Sequence, residues 1–484
     1  MHIFKILKSK NEKGFVLIST YMLAAAMVII AGASFTKSIY EAKLVDREFD
    51  RLQSHYVAEA GLQSALAQMG TNAYTGFINA NAISIMNFQS VSGASIGNVN
   101  VTLNYPEEAD WVIAQSVATV NGVTRRLEGR VFLDSNLSKY LIYINITNLN
   151  VGNNAKFGYN DGTNPEGVPA NWKDRMAMYF TGDWSVTGSN VDVWGDLHAE
   201  GDADAAGTTL IHGDTYMGDF ATNSSGQVTN DGVSGPITVG DGFSDDVDRN
   251  GDGQITSSDY ADQHDLTQVG GGDSHAEESL TQIDHNFYED NNNIPSFGSG
   301  TQNRYLIFQE NGDHTRMVEY SNATFTTQVA TYELPSSAIV YVNGDAYVKG
   351  YIKGRVSLVT SDDIFVDGDM VYAGSSPYAS DPTHSAAFLA KDKVYFRPDI
   401  LKVSGIIYGE NTSGSTNPID ASVDLNGNTD NSKAQLRTYG NIVANGQPNT
   451  SIYSDRIFGY DKNLKKYRPP GIPIQPTLRT VREY

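Results

Sequence analysis

Residues Glu12–Phe35 read EKGFVLISTYMLAAAMVIIAGASF. From Phe15 to Phe35 there are 21 residues without a charge, and only Ser19, Thr20 and Ser34 are clearly polar. At about 1.5 Å of rise per residue, a helix of this length crosses the roughly 30 Å hydrocarbon layer of a bilayer. The fourteen residues up to Gly14 carry four Lys and one Glu, which favours the cytoplasmic side for them. Three kinds of N-terminal signal fit: a removed secretory peptide, a permanent anchor, or a leader that is cut while its apolar helix is kept. A secretory peptide has a shorter apolar core and a small-residue cleavage site after it, and AGASF passes weakly for such a site.

The residues that follow extend the pattern. Val45, Phe49, Leu52 and Tyr56 recur at spacings of four, three and four, and the series continues through Ala60 to Ala67. This is one apolar stripe of an amphipathic helix. No Pro or turn cluster separates it from the apolar run, so a single helix of more than fifty residues is expected from Phe15 to about Met69. A membrane anchor continued by a juxtamembrane coiled coil satisfies the same spacing.

The segment KGFVLIS resembles the processing site of type IV pilins and type II secretion pseudopilins. That resemblance implies a prepilin peptidase cutting after Gly14 and methylation of the new N-terminal Phe15. It also implies residence in the inner membrane before assembly, then a filament core built with other pilin subunits, on the periplasmic or outer side. YVAEAGLQSAL (Tyr56–Leu66) is similar to the corresponding segment of PilX-type minor pilins. Major pilins carry a Glu at the fifth mature position; here that position is Ser19. A buried carboxylate is costly unless paired, and paired it helps set register. Its absence implies an accessory or tip subunit rather than a bulk one.

The body of the chain is acidic. The formal charge is −22, and removing a +3 leader leaves −25. With no long basic patch, nucleic acid is excluded as a partner. Cysteine is absent, which excludes thiol nucleophiles and CxxC zinc sites. NVNVTLNY (98–105) alternates like a half-buried strand, and Ala114–Leu133 forms a hairpin signal around Asn121-Gly122, suited to a type I′ turn. Packed on the long helix, these strands make a small pilin-like head. Arg125 and Arg126 on that hairpin read as solvated side chains.

From Gly182 the composition changes. Glycines fall at 182, 188, 195, 201, 207, 213 and 218, and five of the seven precede an Asp. Short β segments with a Gly-Asp turn about every six residues suggest coils of a β-solenoid; a β-sandwich with many hairpins is the alternative. The pattern returns at Ser337–Gly374 and continues through SAAFLAKDKVYF, KVSGIIYGE and YGNIVANG. AAFLAKDKVYF followed by SGIIYG is also a passage that larger PilX-like proteins share. Residues 241–300 interrupt it with fourteen acids and one basic residue, Arg249. The C-terminal YDKNLKKYRPPGIPIQPTLRTVREY has six Lys or Arg, two acids and four prolines. It reads as an extended tail, because proline suits neither a central strand nor a helix.

The expected fold class is therefore α+β: a long N-terminal helix with a small β head, then a large, mainly β domain of solenoid type. The segments are a leader at 1–14, a filament helix at 15–70, a head at 71–135, a β domain at 136–460 with its acidic insertion at 241–300, and a basic tail at 461–484.

DRNGDGQITSSD (Asp248–Asp259) carries the strongest chemical signal. Twelve-residue calcium loops take oxygens from positions 1, 3 and 5, a carbonyl from 7, often a water at 9 and an acid at 12, with Gly at 6. Those positions are Asp248, Asn250, Asp252, Gln254, Thr256 and Asp259, with Gly253 in place. The loop resembles the dockerin-type EF-hand variant, and Ca2+ is the ion it implies. Asp424–Asn431 is a lesser candidate that lacks a terminal acid and reads as an Asn-rich turn. No HExxH, GxSxG or phosphate loop occurs, the spacing of His264, His275 and His285 fits no compact metal site, and Asp192 with Asp196 belongs to turn chemistry. The chain is expected not to be an enzyme. Two functions remain: a minor pilin or pseudopilin displaying a large β domain for adhesion or interaction, and a membrane-anchored surface protein that binds or degrades polysaccharide.

Titration calorimetry on the purified protein should show calcium binding in the 10⁻⁴–10⁻³ M range typical of extracellular modules. A hundredfold excess over Kd should then add about 2.7 kcal/mol of stability. Asp248→Ala with Asp252→Ala should abolish both effects; no heat at millimolar calcium would reduce the loop to an ordinary turn.

Overall fold

Sixty residues, Glu12–Thr71, form one uninterrupted helix, α1. In this computed structural model the described residues are 12–71, 86–89, 95–104, 111–146, 148–158, 176–186, 190–199, 203–205, 209–211, 215–217, 221–222, 228–229, 237–239, 266–268, 280, 282–374, 384–414, 417–461, 464 and 467–483. Three hydroxyls along the first half of α1 are satisfied by the helix itself. Ser19 donates to the Phe15 carbonyl (2.7 Å), Thr20 to that of Val16 (2.8 Å) and Thr36 to that of Gly32 (2.8 Å). These three hydroxyls therefore need no outside partner.

Only the C-terminal end of α1 docks. Val57, Ala58, Leu62, Ala65 and Met69 are buried. They lie on an antiparallel sheet of β1 (Met86–Gln89), β2 (Ser95–Asn104), β3 (Trp111–Val120) and β4 (Val123–Asp134), which contributes Val99, Val101, Val112, Ala114, Val120 and Val131 to the same core. Gly61 sets how close the helix comes. A Cβ there would stand 2.6 Å from both Ser116 Oγ and Val99 Cγ2. The AEAGL motif is thus a packing motif: Ala58, Gly61 and Ala65 are small where helix backbone meets sheet. β3 and β4 are joined by Asn121 and Gly122 at φ 48° and 81°, the left-handed pair a type I′ turn requires.

The fifth strand of this sheet comes from the far end of the chain. Gln475–Glu483 pairs antiparallel with β4, from Gln475 opposite Asp134 to Glu483 opposite Leu127. The tail read as merely extended is therefore an edge strand, the position in a sheet where a proline such as Pro476 is tolerated. Arg125 is paired rather than simply solvated: it meets Glu483 at 3.0 Å, and His55 of α1 meets the same carboxylate at 3.3 Å. Everything between Asp134 and Gln475 is in effect inserted between two neighbouring strands of the head.

The inserted domain is built from parallel strands stacked in register. One wall runs through Ser337–Val342, Arg355–Thr360, Ser385–Ala390 and the ends of Ile400–Gly409 and Lys433–Ala444. It then continues through Ile142–Ile144, Met176–Phe180, Asp196–Ala199, Thr215–Met217 and Leu266–Gln268. A second wall joins Arg304–Asn311, Ala346–Ile352, Ile364–Tyr372, Val394–Phe396 and Ile419–Asp420. A third joins Lys433–Ala444, Tyr453–Gly459, Ala155–Phe157, Val191–Val193, Thr209–Ile211 and Ile237–Val239. Ser337 pairs with Arg355 and Val191 with Thr209, eighteen positions on in each case. The six-residue glycine step is therefore one third of a coil, and parallel register replaces the hairpins a sandwich would need. Antiparallel pairing is confined here to short excursions such as Arg304–Asn311 with His314–Tyr320 and Gln328–Glu333.

The stacking order is not the chain order. Ala444 pairs with Ile144, so the coils of the C-terminal half abut those of the N-terminal half at a seam. Where the wall bends, Gly405 and Gly440 lie in register at φ 121° and 143°. A Cβ on Gly440 would fall 2.1 Å from the Gly405 carbonyl oxygen, so only glycine fits that crossing.

Gly61→Val is expected to destabilise the head by about 1–3 kcal/mol through overpacking and to expose the end of α1 to protease. Unchanged melting and cleavage would mean that helix and sheet do not approach this closely.

Candidate functional site

The candidate site is the part of α1 that no other described residue covers. From Phe15 to Ile30 the large apolar side chains stand out at 57–73% exposure, and an 18-residue window of the helix reaches a mean hydropathy of 2.2. Gly14 and Phe15, the residues expected at the processed bond, are consecutive positions near the start of this helix.

Beyond the apolar run the structure adds a second face to the stripe seen in the sequence. Val45, Phe49, Leu52 and Tyr56 are 65, 59, 56 and 63% exposed, and Ala67 is exposed as well. They are not the face that packs on the head. That face is Ser54, Val57, Ala58, Gly61, Leu62, Ala65 and Met69. At about 100° per residue, Tyr56 and Ala58 lie roughly 200° apart, on opposite sides of the helix. The helix is two-faced: Ala58, Gly61 and Ala65 let it approach its own sheet, where Val57, Leu62 and Met69 also pack, while Phe49, Leu52 and Tyr56 turn away. Periodicity found a stripe but could not say which body it serves. The cue for the docked face was side-chain size, since closely packed backbones need Gly and Ala.

The calcium-loop positions Asp248, Asn250, Asp252, Gln254, Thr256 and Asp259 lie outside the described residues, as do His264 and His275. His285 faces Glu410, Nε2 to Oε2 at 3.1 Å, with both side chains only 14% exposed. In the Asp424–Asn431 turn, Asp424 Oδ1 accepts from the backbone N–H of Asn426 (2.8 Å) and Asn428 (2.7 Å). The carboxylate thus closes its own loop, as expected of an Asn-rich turn.

One carboxylate cluster escaped the sequence reading. Asp345, Asp362 and Asp363 bring oxygens within 4.8 Å of one another, a spacing a cation could use. Two of them already do backbone work: Asp345 Oδ1 accepts from the N–H of Asp363 (3.3 Å) and Asp363 Oδ1 from that of Lys393 (2.9 Å). Each ties its corner to the backbone of the next coil. Burial, helped by the charges of Asp362, Asp345 and Asp392, pushes the Asp363 carboxyl up to about 7. The eighteen-residue repeat that stacks Asp345 under Asp363 was the available signal.

No protein-family model and no curated protein matches this chain. Among solved structures, the competence-associated pilin ComZ from Thermus thermophilus is similar over 90% of this chain and 97% of its own, at 13% identity and a TM-score of 0.25. At that score the overlap carries no argument about shape or role.

Because the folded state raises the Asp363 pKa, the stability this group contributes is present below the ordinary carboxylate pKa and lost as pH rises through about 7. Melting of the wild-type protein should fall over that window, and Asp363→Asn should flatten the fall and melt higher near pH 7.5. Parallel profiles would exclude the effect.

Proposed function

We propose that the chain is a minor type IV pilin-like subunit whose helix joins a filament and whose large β domain, a solenoid in this reading, is displayed on it as an adhesive or interaction surface, at the tip or as an accessory. One observation carries the reading: α1 keeps large apolar side chains exposed from Phe15 to Tyr56, while only its C-terminal end, from Ser54 on, is fixed to the protein's own head. A plain anchor needs apolar exposure only across the bilayer, about twenty residues. Here exposure runs on past the first charges, Lys37 and Glu41, through Leu44, Phe49 and Leu52. Exposed apolar surface beyond the membrane calls for protein neighbours, and other pilin subunits would supply them.

In this proposal a prepilin peptidase removes residues 1–14 and Phe15 becomes the N-terminus. Ser19 fits a subunit that does not build the shaft. Its hydroxyl bonds back to the helix and offers no charge to a neighbour's amine. Catalysis has no part in the proposal; Asp345, Asp362 and Asp363 serve as corner caps and Asp248–Asp259 as a calcium loop.

Mass spectrometry of the mature protein should find N-methylated Phe15, and Gly14→Leu should leave the leader attached and the protein in the inner membrane. An intact N-terminus, or cleavage after Ala33, would sink the pilin reading in favour of an anchored surface protein.

A further inference from the structure

The seam between the two halves of the coil stack holds a charge in an unexpected place. Arg456 pairs in register with Leu436 on one side and Ala155 on the other. Both neighbours are fully buried members of the apolar interior. In a parallel ladder, residues in register share a face, so Arg456 points into the interior, and it is only 3% exposed. Ala155, small beside it, leaves it room.

The guanidinium is poorly compensated there. Nη2 donates to the Asn153 carbonyl, while Nε is buried and donates to no described residue. Among the described residues no carboxylate pairs with it, and burial pulls its pKa down to about 10 with no opposing charge. It nevertheless stays charged near neutral pH. A buried charge without a counter-charge is among the costliest arrangements in a protein, and the remedy the fold uses elsewhere, as for Arg397 with Asp367 at 3.2 Å, is missing.

Beside Arg456 lies a cavity of about 30 Å³, walled by apolar side chains including Ile144, Phe157, Phe180 and Phe458, with Thr450 and Ser451 near its polar side. It has room for about two water-sized particles, too little for a tetrahedral oxyanion with its hydration. We propose that this cavity is a binding site for a small monovalent anion, a halide or a short carboxylate such as formate, held by Arg456. The anion would join the two coil runs as an internal counter-ion, receiving the idle Nε–H where Phe157 of the first run stacks on Phe458 of the last.

The test uses the full-length protein at constant ionic strength, exchanging gluconate, too large to enter, for chloride, bromide or formate. The melting temperature should rise by several degrees, saturably, between about 1 and about 100 mM of a small anion, and hardly at all with sulfate. Arg456→Met should remove the dependence. Because that variant could fail to fold, ³⁵Cl line broadening on the wild-type protein, reversed by formate, gives a second reading; formate and chloride arms separate the two anion types. Melting indifferent to anion identity, a response that survives in Arg456→Met, or chloride resonances without site broadening would each overturn the proposal and leave the cavity to water.

Discussion

A wall of parallel strands is apolar on both faces, so something must cover its outside. In the first wall the inner face is the lumen, with Val340, Leu358 and Phe388 turned inward. The outer face carries Ile339, Tyr341, Val359, Leu389, Tyr408 and Tyr143, and all of these are buried too. Their cover comes from three remote parts of the chain: Leu137 and Tyr140 where it enters the domain, Ile283 and Tyr288 where it crosses between the coil runs, and Leu464 and Ile472 where it leaves. Pro469 to Ile474 are all buried. Prolines suit that duty, since a buried extended segment without ladder partners is cheaper when it has fewer N–H groups to satisfy. Its carbonyls are used: Ser357 Oγ donates to Pro470 at 2.6 Å and Tyr288 Oη to Gly471.

Long basic side chains do comparable work at the corners. Lys433 is 1% exposed and gives its three protons to the carbonyls of Phe396, Arg397 and Val423, at 2.6, 2.8 and 2.9 Å. Arg397 reaches from its rung to the Asp424 carbonyl at 2.9 Å and fixes that turn against the wall. Along the second wall Tyr305, Tyr347, Phe365 and Tyr395 stack at 4.8, 4.4 and 4.7 Å, one ring per coil, so register is written into side chains as well as backbone.

What could be read from the sequence was what is local. The length of α1, the Asn121-Gly122 hairpin and the six-residue corner step all depend on neighbours within a few positions. Which face of α1 docks was not legible because two stripes interleave on one helix, and hydrophobicity alone favours the larger residues, Val45 and Phe49, over the docked Ala58 and Gly61. The tail's burial was missed because charge and proline content describe Pro469 or Pro470 without saying what surface awaits them. The joining of Ala444 to Ile144 and the inward Arg456 left no local trace at all, since the contacts that define them link residues about three hundred positions apart. The Asp345–Asp363 corner lay between these cases, visible only once the repeat is known to be eighteen residues.

The insertion of the β domain between β4 and the C-terminal strand also governs how the molecule would carry tension. Both connections leave the head at the same end of two adjacent antiparallel strands, where Asp134 lies opposite Gln475. A pull on the inserted domain would therefore draw both strands lengthwise together, β4 sliding against β3 along the ten residue pairs of their ladder from Trp111–Phe132 to Val120–Val123. Hydrogen bonds loaded in shear share the force, whereas bonds at the end of an unzipping hairpin take it one at a time. With a single tether the terminal strand could peel away alone; with two, the head resists as one plate, and the strain passes into the contact where Gly61 lets the helix rest on the sheet.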